Sequence, residues 1–248
     1  MPEAVLGDLR IRYREAGQGF PVLLLHGSFC TGASFAPLAR MLSARFRVLV
    51  PDLPGHGASR PAPPSWTTPD LARHMLAFLD ALGIGQVHAA GHSMGGDVSM
   101  SLGVLAPKRC RTLVSIGSAG AANEPARAFF AELDPDRGGL ARHPRFFARL
   151  QAEHPSSGGW QALFRATRDN CLAWPSFSDA DLRRLAMPFL LLAGSRDGFV
   201  LPDEVARLRA LCPRFEFRTV EGAGHAPHLE AAFLGEAGQA VLDFLGRA

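Results

Sequence analysis

The stretch Val87-His88-Ala89-Ala90-Gly91-His92-Ser93-Met94-Gly95-Gly96 decides how this chain is read. Val87–His92 is a short, mostly apolar run with the length of a buried strand. Asp97–Leu105 follows with the Val/Leu-bearing character of a helix. Between them, Gly91-His92-Ser93-Met94-Gly95 fits G-x-S-x-G. A strand that turns sharply into a helix forces strained backbone angles at its apex, so the flanking positions must lack bulk. Gly91, Gly95 and Gly96 meet that demand. The result is a serine hydroxyl exposed at the carboxyl edge of a sheet, over a helix N-terminus. A buried serine in a Gly-rich turn is the alternative, and the strand-to-helix setting weighs against it.

Outward from this turn the same alternation recurs. Pro21–His26, Phe46–Pro51, Thr112–Gly117, Phe189–Gly194 and Phe215–Val220 read as further strands, and several are continuous apolar runs. Such runs are expected where helices cover both faces of a parallel sheet. Leu9–Glu15 alternates apolar and polar residues and reads as an edge strand. Leu71, Met75, Phe78, Leu79 and Leu82 recur at helical spacing, with Thr68 as N-cap and Gly83 past the end. Phe233, Ala237, Val241, Phe244 and Leu245 form a like stripe. The pattern predicts an α/β fold with a mostly parallel central sheet flanked by helices. Residues 119–186 break the rhythm, being helical and loop-like, with no convincing strand. They read as a helical lid inserted into a core formed by 1–118 and 187–248. The prolines of Arg60–Pro64 mark a loop.

Composition sets the class. The chain has 248 residues, 47% hydrophobic and 20% charged. That is enough to bury a sizeable core without staples, and it excludes disorder and coiled coil. No apolar run approaches the length of a membrane span, and no secretory signal is visible at the start. Net charge is +3, and Lys108 is the only lysine among 26 basic residues. The arginines are scattered among acids, which argues against a nucleic-acid surface. Cys30, Cys110, Cys171 and Cys212 are widely spaced and read as reduced thiols of a cytoplasmic protein. No C-x-x-C or H-x-x-x-H spacing offers a metal site. The expected partner is a small-molecule substrate, with neither nucleic acid nor membrane, and the chain is expected as a monomer or homodimer.

A serine hydroxyl is a poor nucleophile near neutral pH. It needs a base to take its proton and a third group to orient that base. Histidine suits the base by its pKa. Of the nine histidines, His225 stands in a Gly-flanked loop after a late strand. His26 and His56 precede glycines in turns and read as structural, His92 as packing or pocket-lining, and His228 as a pocket rim or surface residue. The orienting acid should also follow a strand. Asp197 and Asp52 both do, with Asp203 as a further candidate.

Five motifs, taken together, resemble the α/β-hydrolase superfamily over nearly the whole chain. They are His26-Gly27-Ser28-Phe29, Asp52-Leu53-Pro54-Gly55-His56-Gly57-Ala58-Ser59, Gly91-His92-Ser93-Met94-Gly95-Gly96, Gly194-Ser195-Arg196-Asp197 and Gly222-Ala223-Gly224-His225. The resemblance implies a cofactor-free triad of Ser93, Asp197 and His225, because the superfamily's order is Ser, acid, His. Asp52 then matches a structural position. Pro202 stands one residue farther from Asp197 than is usual there. The oxyanion hole would be the backbone N–H groups of Met94 and Ser28, with Phe29 as the near alternative for the second. Cys30 reads as a packing residue.

The superfamily's pocket lies between cap and core, so aromatic residues of 119–186 are expected to roof it. Phe147 and Trp160 are the named candidates, and Phe29 and His92 the candidates from the core. Arg142, Arg145, Arg149, Arg165 and Arg168 could meet an anion or lie on the surface. The expected activity is hydrolysis of a carboxylic ester, thioester or lactone with an apolar or aromatic group. Dehalogenases and epoxide hydrolases of this superfamily use an Asp nucleophile, whereas position 93 is Ser. Carbon–carbon bond hydrolases usually carry a Gly-rich stretch after His-Gly, whereas this chain has Ser28-Phe29-Cys30. Carbon–carbon hydrolysis, a lyase or cofactor-free peroxidase-like activity, and a non-catalytic receptor stay as alternatives.

Overall fold

The computed structural model describes residues 1–63, 65–155 and 159–247. Pro64, in the predicted proline loop, and Ser156–Gly158, inside the predicted insertion, lie outside the described residues. The strands are β1 (Glu3–Leu6), β2 (Leu9–Ala16), β3 (Pro21–Leu25), β4 (Arg47–Pro51), β5 (Val87–His92), β6 (Cys110–Ile116), β7 (Phe189–Gly194) and β8 (Phe215–Val220). They form one sheet in the order β1-β2-β4-β3-β5-β6-β7-β8. The pairs β1–β2 and β2–β4 are antiparallel and the rest parallel.

The helices are α1 (Ala36–Leu42), α2 (Thr68–Ala81), α3 (Met94–Leu105), α4 (Glu124–Leu133), α5 (Gly139–Arg142), α6 (Pro144–Glu153), α7 (Trp160–Ala173), α8 (Asp179–Arg183), α9 (Pro202–Leu211) and α10 (Leu234–Leu245). Two apolar layers hold them to the sheet. Leu23 and Leu25 of β3 face the layer of Leu71, Phe78, Val98 and Leu208 from α2, α3 and α9. Val22 and Leu24, pointing the other way, face Leu38, Leu42, Val241 and Phe244 from α1 and α10. The continuous apolar runs follow from this burial on both faces, since successive side chains point to opposite sides.

Three local expectations change. Leu9–Ala16 is not at the edge. A short hairpin with Gly7 at φ +61 brings β1 against it, and Ile11 and Tyr13 are buried. With four residues and an exposed Val5, β1 carries too little pattern to be read from sequence. The cap of α2 is Thr67 rather than Thr68: its side chain accepts from the Asp70 amide and the Asp70 carboxylate accepts from the Thr67 amide. Such a reciprocal cap is worth about 1 kcal/mol. His228 is fully buried in a turn before α10 instead of lying at a rim or surface.

Helices α4 to α8 occupy the chain between β6 and β7, and the isolated bridge Ala121–Ser176 ties the two ends of that segment together. Among the described residues no helix is long and apolar enough to cross a membrane.

Candidate active site

Ser93 sits between β5 and α3 at φ 52, ψ −122, a conformation that costs a non-glycine residue about 1–3 kcal/mol. The surroundings enforce it. A Cβ on Gly91 would strike the Gly95 carbonyl, one on Gly95 the Leu25 carbonyl, and one on Gly96 the Ser115 hydroxyl. Strand and helix therefore approach with glycine-only clearance, and the serine side chain is thrown outward. Met94 opens α3, so its N–H is among those the helix leaves unpaired.

The loop after β3 lies against this turn. A Cβ on Gly27 would come within 2.8 Å of His92 Nδ1 and 3.3 Å of Ser93 Cβ. Phe29 takes φ 60, the second positive-φ non-glycine position beside Ser93 among the described residues. His26 anchors the loop from below, donating from Nδ1 to the Gly27 carbonyl (2.9 Å) and accepting at Nε2 from the Leu53 amide (3.0 Å). Asp52 is spent on the backbone, accepting from Gly32 N (2.8 Å) and Ala58 N (3.1 Å). His56 donates from Nδ1 to the Pro54 carbonyl at 3.1 Å. These three residues hold turns together and do not reach the pocket.

Asp197 and His225 meet from the ends of β7 and β8. His225 Nδ1 lies 3.1 Å from each Asp197 oxygen. The carboxylate is wholly buried and also accepts from the Phe199 amide at 2.9 Å. Asp203, the other candidate acid, is an exposed residue in the first turn of α9. The carbonyl of His225 accepts from His92 Nε2 at 3.1 Å. Burial pulls the His92 pKa well below its ordinary value, helped by His228 and His225, so the ring is neutral. Gly117 ends β6 at φ +70, and a Cβ there would come within 3.0 Å of His225 Nδ1. The second ring nitrogen of His225 is left for the cavity that Ser93 also lines. No hydrogen bond joins Ser93 Oγ to that ring among the described residues. Such contacts commonly close only around a bound substrate. The geometry is that of an imidazole held by a carboxylate on one side and free to take a hydroxyl proton on the other.

The cavity above Ser93 is walled by Phe29, Phe129, Phe130, Trp174 and Phe199, with Ser28, His92, Met94, Asp97, Ser118, Asn123 and Cys171 supplying its polar and sulfur surface. Phe29 stacks on Phe164 of α7 (5.3 Å, 7°) and meets Phe130 and Phe146 edge-on. Ser28 turns its hydroxyl to Cys171 Sγ at 3.2 Å. Phe147 and Trp160, expected in the pocket, are not part of its lining. Phe147 is 2% exposed and packs on Trp160 and Phe164 inside the α6–α7 contact. Aromatic content marks a buried face but does not say whether it faces a neighbouring helix or a cavity.

The arginines named from sequence do not line it either. Arg142 pairs with Glu132, and Arg168 with Asp134 and Asp169. Among the described residues no Arg or Lys lines the cavity. Asp97 and His154 were missed. Asp97 carries a weak signal, an acid in the first turn of an otherwise apolar helix one turn past Ser93. Desolvation by burial lifts its pKa to about 8, against the hydrogen bond from Ser118. No cluster of His, Cys, Asp and Glu able to hold a metal occurs among the described residues.

Comparison with known proteins follows the same lines. The model of the alpha/beta hydrolase family matches residues 22–237. A 2-hydroxymuconate semialdehyde hydrolase of Pseudomonas putida is 30% identical over 93% of this chain and 89% of its own. A 2-hydroxy-6-oxo-2,4-heptadienoate hydrolase of Pseudomonas putida is 27% identical over 90% of this chain and 89% of its own. Among solved structures, the enol-lactonase of Burkholderia xenovorans superposes with a TM-score of 0.76 over 99% of this chain and all of that one, at 21% identity. With the family model spanning most of its length, this chain belongs to the α/β-hydrolase family and is a hydrolase.

Proposed function

We propose that the protein is a cofactor-free serine hydrolase that cleaves a carboxylic ester, thioester or lactone bearing an apolar or aromatic group. The observation that carries this reading is the lining of the Ser93 cavity: aromatic walls, no Arg or Lys, and a His–Asp pair at its mouth. In the proposed cycle His225 takes the Ser93 proton as Oγ attacks the carbonyl carbon, and Asp197 holds the resulting imidazolium. The oxyanion receives the Met94 N–H and one from the Ser28–Phe29 loop. The proton passes to the leaving group, and water, activated by the same histidine, then releases the acid from Ser93. The segment 119–186 acts as the lid, with Phe129, Phe130 and Trp174 as the roof that excludes bulk water.

Hydrolysis of a carbon–carbon bond is the second reading, favoured by the two Pseudomonas putida relatives. Their named substrates are carboxylates. A buried carboxylate needs a cationic or multiple N–H partner to offset its desolvation, and this cavity has an acid, Asp97, instead of an arginine. This supports the ester or lactone reading over the carbon–carbon one.

The test is a panel of activated acyl esters of graded chain length, given to wild type and Ser93→Ala. Turnover of the apolar esters by wild type, with a loss of at least about a thousandfold in the variant, supports the reading. Turnover of a vinylogous dienoate but of no ester overturns it.

A further inference from the structure

Asp97 lies in the first turn of α3, its amide donating to the Ser93 carbonyl at 3.2 Å, and it lines the same cavity as Ser93. Side chains on a helix lean toward its N-terminus, which here means toward Ser93. The residue is 7% exposed, and what remains open faces the cavity. One carboxyl oxygen takes the Ser118 hydroxyl, whose oxygen in turn accepts from the Gly120 amide at 3.3 Å. The other oxygen, Oδ2, has no hydrogen-bond partner among the described residues. No cation pairs with it among the described residues, and the neighbouring charge that acts on it is another acid, Glu204. A desolvated acid with one unused oxygen in an aromatic cavity is costly unless a ligand supplies a donor.

We infer that Asp97, braced by Ser118, is a substrate-binding subsite that takes a hydrogen-bond donor, a hydroxyl or a protonated amine, carried by the substrate away from its scissile carbonyl. The inference rests on the proposed acyl chemistry at Ser93 and adds the polarity of the substrate that reaches it. An aromatic-walled cavity accepts the apolar body, and Asp97 fixes its orientation through one polar point, as in most small-molecule sites. Above about pH 8, where Asp97 ionises, the same acid rejects a substrate with a carboxylate at that position by like-charge repulsion. A hydroxyl can bond either protonation state of Asp97. An ammonium group needs the ionised form.

The experiment uses fluorophosphonates with four-atom tails ending in methyl, hydroxyl, ammonium or carboxylate, and reads the second-order rate of Ser93 labelling by intact-protein mass spectrometry. In wild type at pH 9, where Asp97 is ionised, the hydroxyl or the ammonium tail should label at least tenfold faster than methyl, and the carboxylate tail at least tenfold slower. Asp97→Asn separates the two donors. A preference for hydroxyl survives it, because the amide oxygen still accepts, whereas a preference for ammonium is lost. Both variants, Asp97→Asn and Asp97→Leu, should relieve the rejection of carboxylate, and the isosteric Asn keeps the test open if Leu prevents folding. Wild-type rates within threefold across all four tails overturn the subsite and leave the serine chemistry standing. Tail preferences unchanged in Asp97→Asn, carboxylate rejection included, also overturn it and make Asp97 a mere anchor for the 117–120 turn. Absence of labelling by every tail overturns both the subsite and the acyl chemistry beneath it.

Discussion

His154, at the C-terminal end of α6, accepts a hydrogen bond at Nδ1 from the Gly57 amide, 2.8 Å away, while its Nε2 lies 3.4 Å from the Phe29 carbonyl. Nδ1 is therefore the bare nitrogen and Nε2 carries the proton. One ring from the 119–186 segment thus bridges the Gly-rich turn of the core and the loop whose backbone faces Ser93. It also lies edge-on to His56.

His154→Ala should then do two things. Stability should fall by about 1–3 kcal/mol, the cost of leaving the buried Gly57 donor unpaired, as read from urea unfolding. Catalysis should fall through kcat more than KM, because Phe29 at φ 60 loses its brace beside the reacting carbonyl. A variant with wild-type unfolding and wild-type kcat removes His154 from this role.

Acid should destabilise the fold through its buried imidazoles. Burial depresses His88 and His154 to about 4 and His228 to about 3, with His26, His56 and His92 also lowered. In the unfolded chain these groups take protons near pH 6.5. Their contribution is complete above that value and is lost as pH falls toward 4 and 3, since the unfolded state binds the protons first. Thermal melts should show Tm falling through this window. A His228→Phe variant, which keeps the stacking position against Phe35, should flatten part of the decline. A Tm independent of pH between 7 and 4 contradicts the account.

Asp97 has the opposite sign. Its folded pKa, near 8, stands above the unfolded value of about 3.9. Its contribution is present below pH 4 and is lost as pH rises through 8. Asp97→Asn should match wild type in Tm near pH 4 and exceed it increasingly toward pH 9. A gap that narrows with rising pH would falsify the assignment of a desolvated carboxyl.

Roof residues should control chain length. Phe129→Ala or Trp174→Ala should shift the preferred acyl length of an ester series by two or more carbons while changing the rate on acetate esters less. Phe147→Ala and Trp160→Ala, which open the packing behind the wall, should cost stability, about 3–5 kcal/mol for a fully buried aromatic such as Phe147, and leave the length preference in place. The ester series and urea melts on the same four proteins separate these outcomes.

Much of this was legible from residues because the decisive features are local. Gly91 is required by clearance from the Gly95 carbonyl four positions on, a local demand of the sharp turn, whereas Gly95 and Gly96 clear Leu25 and Ser115 on neighbouring strands. Apolar runs such as Phe189–Ala193 declare burial on both faces without reference to the rest of the chain. Asp197 and Asp52 both follow strands, so the pairing of Asp197 with His225 was reachable only through the resemblance to the superfamily's order of Ser, acid and His. What stayed hidden depends on long-range packing. Whether Phe147 faces the cavity or Phe164 is set by the angle between α6 and α7, which no local pattern encodes. His154 bonds Gly57 across 97 positions of chain, and its sequence surroundings carry no sign of it. Short β1 owes its existence to the exposed flank of β2 and not to its own propensity.

The central claim is that Ser93 carries an acyl group between two half-reactions. A rapid-quench experiment with a p-nitrophenyl ester of an apolar acid tests it most directly, with the Ser93 peptide weighed at each time. With an ester whose deacylation is the slower step, the account predicts a burst approaching one equivalent of p-nitrophenol and a transient mass gain equal to the acyl group on Ser93, both abolished in Ser93→Ala. Turnover of the ester by Ser93→Ala at a wild-type rate, with no acyl mass on the wild-type peptide, would contradict it.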